Sequence, residues 1–435
     1  MKFIHIADCH LGSYKEDKLK KLNLNSFKYV INECIEKEID FLIISGDLFN
    51  SAIPNIEILN NVTKELIKLK EKNIPIYYIA GSHDFSPTGK TMLSVFESAN
   101  LLINVSKAEI INNKISLKLT KDKKANTIIT GIIGKKGSLD TEIYKNLNYN
   151  ELKRNLDEND SYKIFLFHNT IDELKTKHYE RIKGMSINLL PSGFNYYAGG
   201  HIHIRKPFKN EIYNNIIYPG PTFPNNFYEI EKLKNGSYVY VEVEKRENTF
   251  VEKIEIKEIE LKKTISIRID CNNKSSLVIN QELEEIHLEY KEQIKDKIVL
   301  IRFFGEIINS NIKDLRINDF ISKLYLEKPY IILKNTLKLR KFQDKENSLI
   351  SIKNENIENI ENEIIENEIN ENKFDNNKSI EENKNLIIQL NNILNKTKIE
   401  GETNDNYEKT ILNDMNQVLE IEDYQDYINQ LLKNN

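Results

Sequence analysis

Five times within the first 203 residues, a short apolar run is followed by a carboxylate or an imidazole. The elements are Asp8 with His10, Gly46 with Asp47, Gly81 with Ser82, His83 and Asp84, His168 with Asn169, and Gly200 with His201 and His203. The preceding runs, residues 3–7, 41–45, 76–80, 164–167 and 196–198, read as strands. Helical periods over 24–37 and 56–72 separate the first three, so strand and helix alternate. That alternation dictates a parallel or mixed sheet covered by helices. In open α/β sheets ligand sites lie at the carboxyl ends of the strands, so these residues are placed to converge on one edge.

A chain of 435 residues, 40% hydrophobic, has material for two or three folded units. No run approaches the ~18 uncharged apolar residues of a membrane span. The opening MKFIHIADCHLG leads a strand straight into Asp8 and His10, unlike a secretory leader. Cys9, Cys34 and Cys271 form neither a disulfide framework nor a zinc spacing, which points to a reducing, cytoplasmic setting. The net charge of -4 argues on its face against a nucleic-acid partner. Its distribution reverses that reading. Residues 343–435 hold 9 Lys against 21 Asp or Glu, out of chain totals of 62 basic and 66 acidic residues. The tail is therefore strongly acidic and the body mildly basic.

Four segments follow from these textures: a core over 1–245, an accessory domain over 246–342, a linker over 343–400 and a helical tail over 401–435. The accessory domain reads as strands at 264–270, 297–304 and 330–337, separated by helices at 279–291 and 312–326. Its lone His287 is expected at the surface. The linker is rich in Asn and Glu with Ile at helical spacing, and reads as disordered or as a loose helix. In the tail, Ile411, Met415, Val418 and Leu419, then Tyr424, Tyr427, Ile428 and Leu431, form apolar stripes. Such a helix pair folds back on the body or docks on a partner.

Carboxylates and imidazoles together suit divalent manganese, iron or zinc. Side chains two apart on an extended chain share a face, so Asp-x-His and His-x-His each supply two ligands from one short segment. Any one of these elements is common by chance. A Gly-Asp pair is usually a turn, and a single histidine after a strand is usually hydrogen-bonded or solvated. Their occurrence together, in order and at strand ends, carries the assignment. His5, between Ile4 and Ile6, is expected to be structural and His178 to be solvated. PTGKT at 87–91 ends like a phosphate-binding loop, but Asp84 stands where that motif needs glycine.

The ordered set resembles the signature of calcineurin-like metallophosphoesterases, Asp-x-His, Gly-Asp, Gly-Asn-His-Asp/Glu, His and Gly-His-x-His, departing from it at Ser82. HIADCHLG and SGDLFN resemble in particular the SbcD-type DNA repair exonucleases, the nuclease subunit of the archaeal and eukaryotic break-repair complex. IIYPGPTFPNNFYEIEKLKNG resembles the strand and loop that follow the family's last metal motif. The resemblance covers residues 1–245, and 246–342 is similar in layout to that family's DNA-capping domain.

It implies a four-layer sandwich of mixed sheets and helices, a small α+β cap and C-terminal helices that bind an SMC-like coiled-coil ATPase. It also implies DNA as substrate, a homodimer and two divalent ions, manganese by preference. Asp8, His10 and His203 would hold one metal, Asp47 would bridge, and His168 and His201 would hold the second. His83, oriented by Asp84, would contact the scissile phosphate or protonate the leaving oxygen. Ser82 stands where the family places a ligating Asn, and Asn50 where some relatives have His. A phosphatase or phosphodiesterase of the same superfamily, or a weakly active DNA-binding scaffold, are the other readings. SGDLFNSA lacks the Asp-Arg pair of the protein phosphatases, and Ser82 alone favours the scaffold.

Overall fold

The computed structural model describes residues 1–85, 91–176, 179–180, 182–247, 249–342, 385–386, 389, 393 and 404–419. One six-stranded sheet runs in the order Thr249–Ile259, Gly236–Arg246, Lys2–Ile6, Phe41–Ser45, Ile76–Ile79, Ile103–Asn104. From Lys2–Ile6 onward its strands are parallel, with the helices Asp17–Glu36 and Ile56–Glu71 as crossovers, while Gly236–Arg246 is antiparallel to both neighbours. A second sheet runs Lys206–Phe208, Ile216–Tyr218, Tyr196–Gly200, Tyr162–His168, Thr127–Ile132, Thr120–Asp122, parallel in its middle four strands.

Both faces of each sheet are covered, which is why the central strands read as near-continuous apolar runs. Alternate residues divide between two cores. Phe3, Phe41, Ile43 and Ile79 of the first sheet meet Ile129, Ile164, Leu166 and Tyr196 of the second. Ile4, Ile6, Leu42 and Ile44 turn the other way, onto Phe27, Val30, Val62 and Leu66 of the helices. Phe165, Phe167 and Tyr197 pack outward on Tyr144, Leu152 and Leu156. The result is the four-layer helix–sheet–sheet–helix sandwich expected. His5 lies wholly buried, with Nδ1 2.9 Å from the Tyr196 hydroxyl, and burial holds its pKa down at about 3.

Several boundaries differ from the expectation. Thr249–Ile259 pairs with Gly236–Arg246 along its whole length, so the core sheet ends at Ile259 rather than at 245. The change of texture at 246 is the tip of a hairpin. The first helix begins at Asp17, not at 24, because Leu19 and Leu22 are buried at helical spacing. Most of the lysine-rich stretch 15–21 is therefore helical, and Lys18 donates to the Tyr330 carbonyl at 2.6 Å. The segment 312–326 divides into a 3₁₀ turn, Ile312–Asp314, and the helix Ile317–Leu326.

The accessory unit is a parallel three-stranded sheet in the order Thr264–Asp270, Ile298–Ile307, Ile331–Lys341. Val299, Ile301 and Phe303 face the helices Ser276–Tyr290 and Ile317–Leu326 through Ile279, Leu283, Phe320 and Leu324. Ile298, Leu300 and Ile331 face the other way, onto Leu19, Leu22, Phe223 and Ile230 of the core. His287 is half-buried against Glu327 at 3.3 Å rather than surface-exposed. Further on, a helix spans Asn404–Leu419, within the segment read as the tail. The rest of that segment, nearly all of the linker, His178 and residues 87–90 of PTGKT lie outside the described residues. Among the described residues no helix is long and apolar enough to cross a membrane.

Phe3 stacks on Phe41 at 5.1 Å and meets the ring of Tyr196 edge-on at 5.2 Å, so it ties the two sheets together. Phe3→Ala is expected to cost ~3–5 kcal/mol through the cavity it leaves. Chemical denaturation of the two proteins checks this, and a loss below ~1 kcal/mol would mean the sheets close over the gap.

Candidate metal centre

The loops after Lys2–Ile6 and Phe41–Ser45 are bonded to each other before any metal ligand is considered. The Asp8 amide donates to the Gly46 carbonyl at 3.1 Å, and the His10 amide to the Asp47 carbonyl at 3.0 Å. Asp8, His10, Asp47 and His201 all adopt positive φ, at 53°, 42°, 52° and 95°. Non-glycine residues rarely hold that conformation, and they do so where surrounding structure over-determines it. The second sheet closes onto these loops through bare backbone. A Cβ on Gly200 would lie 2.2 Å from the Ser45 carbonyl, and one on Gly46 2.2 Å from His168 Nδ1.

The chain thereby brings together every residue expected at the site. Among the described residues, donor atoms of Asp8, His10 and His203 lie within 4.8 Å of one another, as do those of Asp47, His168 and His201, and of His10, Asp47 and His83. Nε2 of His10 and Nε2 of His203 face each other at 3.1 Å, with Asp8 Oδ1 3.8 Å from the latter. Asp47 Oδ2 stands 3.7 Å from His10 Nε2 and 3.2 Å from His168 Nε2, between the two groups. Ser82 Oγ is 3.3 Å from the same oxygen.

Backbone and carboxylate partners fix the imidazoles. His168 donates from Nδ1 to the Ser45 carbonyl at 2.8 Å, which leaves the lone pair of Nε2 aimed at the cluster. That buried Nε2 has no hydrogen-bond partner. A neutral imidazole with its lone pair directed among carboxylates suits a divalent cation. His203 is held at Nδ1 by Glu229 Oε2 at 2.9 Å, the carboxylate–histidine arrangement that orients a ligating ring. Glu229 had no place in the sequence reading. Only its position in YEIEK, 26 residues after His203 in the family-like segment, could have marked it.

The assignment of Asp84 as the residue that orients His83 is corrected. Asp84 is fully buried and accepts from the amides of Leu48, Phe49 and Gly81 at 3.1, 2.9 and 3.1 Å. It staples the loop of Asp47 to the loop of His83. His83 instead donates from Nδ1 to the Asn50 carbonyl at 3.0 Å, while its amide donates to Asp47 Oδ1 at 2.8 Å.

Electrostatically the site is two buried carboxylates ringed by imidazoles. Burial pushes Asp8 up and would do the same to Asp47, but the adjacent His168 and His10 hold Asp47 well below the usual range. Burial would lower His203, yet Glu229 and Asp8 raise it to about 9. His168 is raised too, because Asp47 and Asp8 outweigh its burial. His10 and His201, with less carboxylate compensation, are lowered by burial to about 3. Both raised rings face buried carboxylates, His168 toward Asp47 and His203 toward Glu229 and Asp8, the place where a cation is best accommodated.

A family model described as calcineurin-like phosphoesterase matches residues 1–205, the stretch that contains all these donors. Over 393 aligned residues the chain is 30% identical to the DNA double-strand break repair protein Mre11 of Methanococcus maripaludis, covering 75% of this chain and 98% of that one. The protein of the same description from Methanocaldococcus jannaschii is 27% identical over 317 residues, covering 69% and 81% respectively. That of Archaeoglobus fulgidus is 26% identical over 240 residues, covering 54% and 52%. The chain belongs to the Mre11 family of calcineurin-like phosphoesterases.

A ligating imidazole must be neutral, so a divalent ion held by His168 and His203 would compete with the protons that their carboxylate neighbours favour. The sign follows from the raised pKa values. Affinity for manganese is expected to rise with pH from 6 to about 9, where His203 loses its own proton. Titration calorimetry in two buffers of different ionisation heat checks this. Uptake that is independent of pH and releases no protons would contradict it.

Proposed function

We propose that the protein is a metal-dependent DNA nuclease of double-strand-break repair, hydrolysing phosphodiesters at DNA ends with two manganese ions. The observation that carries this reading is Asp47 Oδ2 standing between His10 Nε2 and His168 Nε2, one from each donor group. Asp8, His10 and His203 are assigned to one ion, His168 and His201 to the other, and Asp47 to both. Ser82 offers a hydroxyl on the second side, where an amide oxygen would be the stronger ligand. Two divalent ions held by these residues would supply Lewis-acid charge for the phosphate and an activated water as nucleophile at neutral pH. His83 stands beside the donors, held by Asn50, and binds the scissile phosphate or protonates the leaving oxygen. Asp84 keeps the two loops in register.

The mildly basic body contacts DNA mainly through phosphates, so binding is salt-sensitive. The unit over 264–341 serves as the cap over that DNA. Residues 401–435 dock an SMC-like coiled-coil ATPase, and the protein works as a homodimer in the cytoplasm, where its three buried free thiols stay reduced. Membership of the family supports these assignments.

With manganese, the purified protein is expected to degrade linear duplex DNA, and His83→Ala to reduce this at least 100-fold, as loss of a general acid does. Circular dichroism controls for folding. Release of phosphate from monoesters without DNA cleavage would replace the nuclease reading with a phosphatase. Deletion of 401–435 is expected to spare DNA cleavage and abolish co-purification of the ATPase, and continued co-purification would remove the docking assignment.

A further inference from the structure

The helix Phe227–Leu233 has only seven residues, too few to be stable alone, so its place is set by what grips it. Three grips are visible. Asn226 caps its start, accepting from the Glu229 amide at 3.0 Å and donating to Glu229 Oε1 at 2.7 Å. Arg205, two residues after His203, reaches its far end, donating to the carbonyls of Leu233 and Asn235 and to the Ser237 hydroxyl. The third grip comes from the accessory domain. Arg302 on Ile298–Ile307 donates through Nε and Nη2 to both oxygens of Glu231, at 3.1 and 2.6 Å. Its guanidinium also lies 4.9 Å from the ring centroid of Phe227.

Residues 227 and 231 are one turn apart and share a face, while 229 is displaced by about 200° and faces away. One face of this helix therefore meets the accessory domain, and the other presents Glu229 to His203 Nδ1. Ile230 is buried between them, among Leu300 and Ile331 of the accessory sheet and Leu19 and Leu22 of the core. The Arg302–Glu231 pair is itself sheltered, with side chains 11% and 15% exposed. Arg268 also reaches Glu231 Oε1, at 3.4 Å, from a 60% exposed position, so the sheltered, two-point contact that fixes Glu231 is the one to Arg302.

We propose that Arg302 and Glu231 are positioning residues for His203: the accessory domain sets the orientation of a metal ligand through the helix Phe227–Leu233. This rests on the reading of His203 as a ligand. Docking of the accessory sheet fixes Glu231, the helix carries that position to Glu229, and Glu229 fixes the His203 ring. Any displacement of the accessory domain is then felt at one of the two metal sites, without contact between that domain and the ions.

The test is stepwise manganese binding to the full chain by titration calorimetry. Arg302→Met, which keeps the side-chain volume, is expected to weaken one of the two binding steps about ten-fold, in line with loss of an outer-sphere partner. The other step is expected to be unchanged. Arg302→Lys is expected to recover most of the loss, and Arg246→Met, at an exposed ion pair on the hairpin, to have no effect. In a Glu229→Gln background, Arg302→Met is expected to add little, because both act along one path. Should Arg302→Met fail to fold, Glu231→Gln removes only the charge and is expected to give the same step-specific loss. Equal weakening of both steps, wild-type affinity in both, or losses that multiply in full with Glu229→Gln would each overturn the coupling. A wild-type protein that takes up no manganese would overturn the metal reading and the coupling together.

Discussion

Two carboxylates, Asp8 and Asp47, lie buried almost to the last atom on one imidazole, 4.0 and 3.2 Å from His168 Nε2, and the rest of the structure is arranged around keeping them there. Burying one unpaired charge is costly, and burying two of the same sign costs more. Their compensation comes from three directions: amides of His201 and His83, the Ser82 hydroxyl, and a ring of imidazoles. The same carboxylates hold the pKa values of His168 and His203 up against their burial, and they suit a divalent cation in the same place.

Holding these groups together requires backbone shapes that no single segment would choose. Three of the four left-handed candidate ligands sit on the mutually bonded loops of Asp8 and Asp47, and the fourth, His201, donates its amide to Asp8. Asp84 adds the clamp that brings in the His83 loop. The strain is held by the packed interior behind it, where Phe3, Phe41, Leu166 and Tyr196 join the two sheets. Both sheets end at the centre, so the sandwich core and the site depend on one another. Phe227–Leu233 extends that dependence to the accessory domain.

Period-two alternation and strand-end positions made the candidate donors legible in the sequence, because each lies within a few residues of an apolar run. The same logic placed the accessory βαβαβ unit. What escaped is non-local. Glu229 becomes a partner of His203 only when a helix folds back from 26 residues away. Asp84 looks like a neighbour of His83 in sequence, yet its carboxylate turns to the amides of another loop. The hairpin of Gly236–Arg246 and Thr249–Ile259 hid the end of the core, since strongly charged, half-exposed strands resemble a linker. The lysines at 15–21 masked a helix whose burial depends on the distant accessory sheet.

The central claim is that the donors form two metal sites sharing Asp47. A crystal of the full chain soaked in manganese and measured at the metal absorption edge tests it directly. Two anomalous peaks about 4 Å apart are expected, one among Asp8, His10 and His203, the other among His168 and His201, with Asp47 between them. A single peak, or peaks away from these residues, would contradict the account.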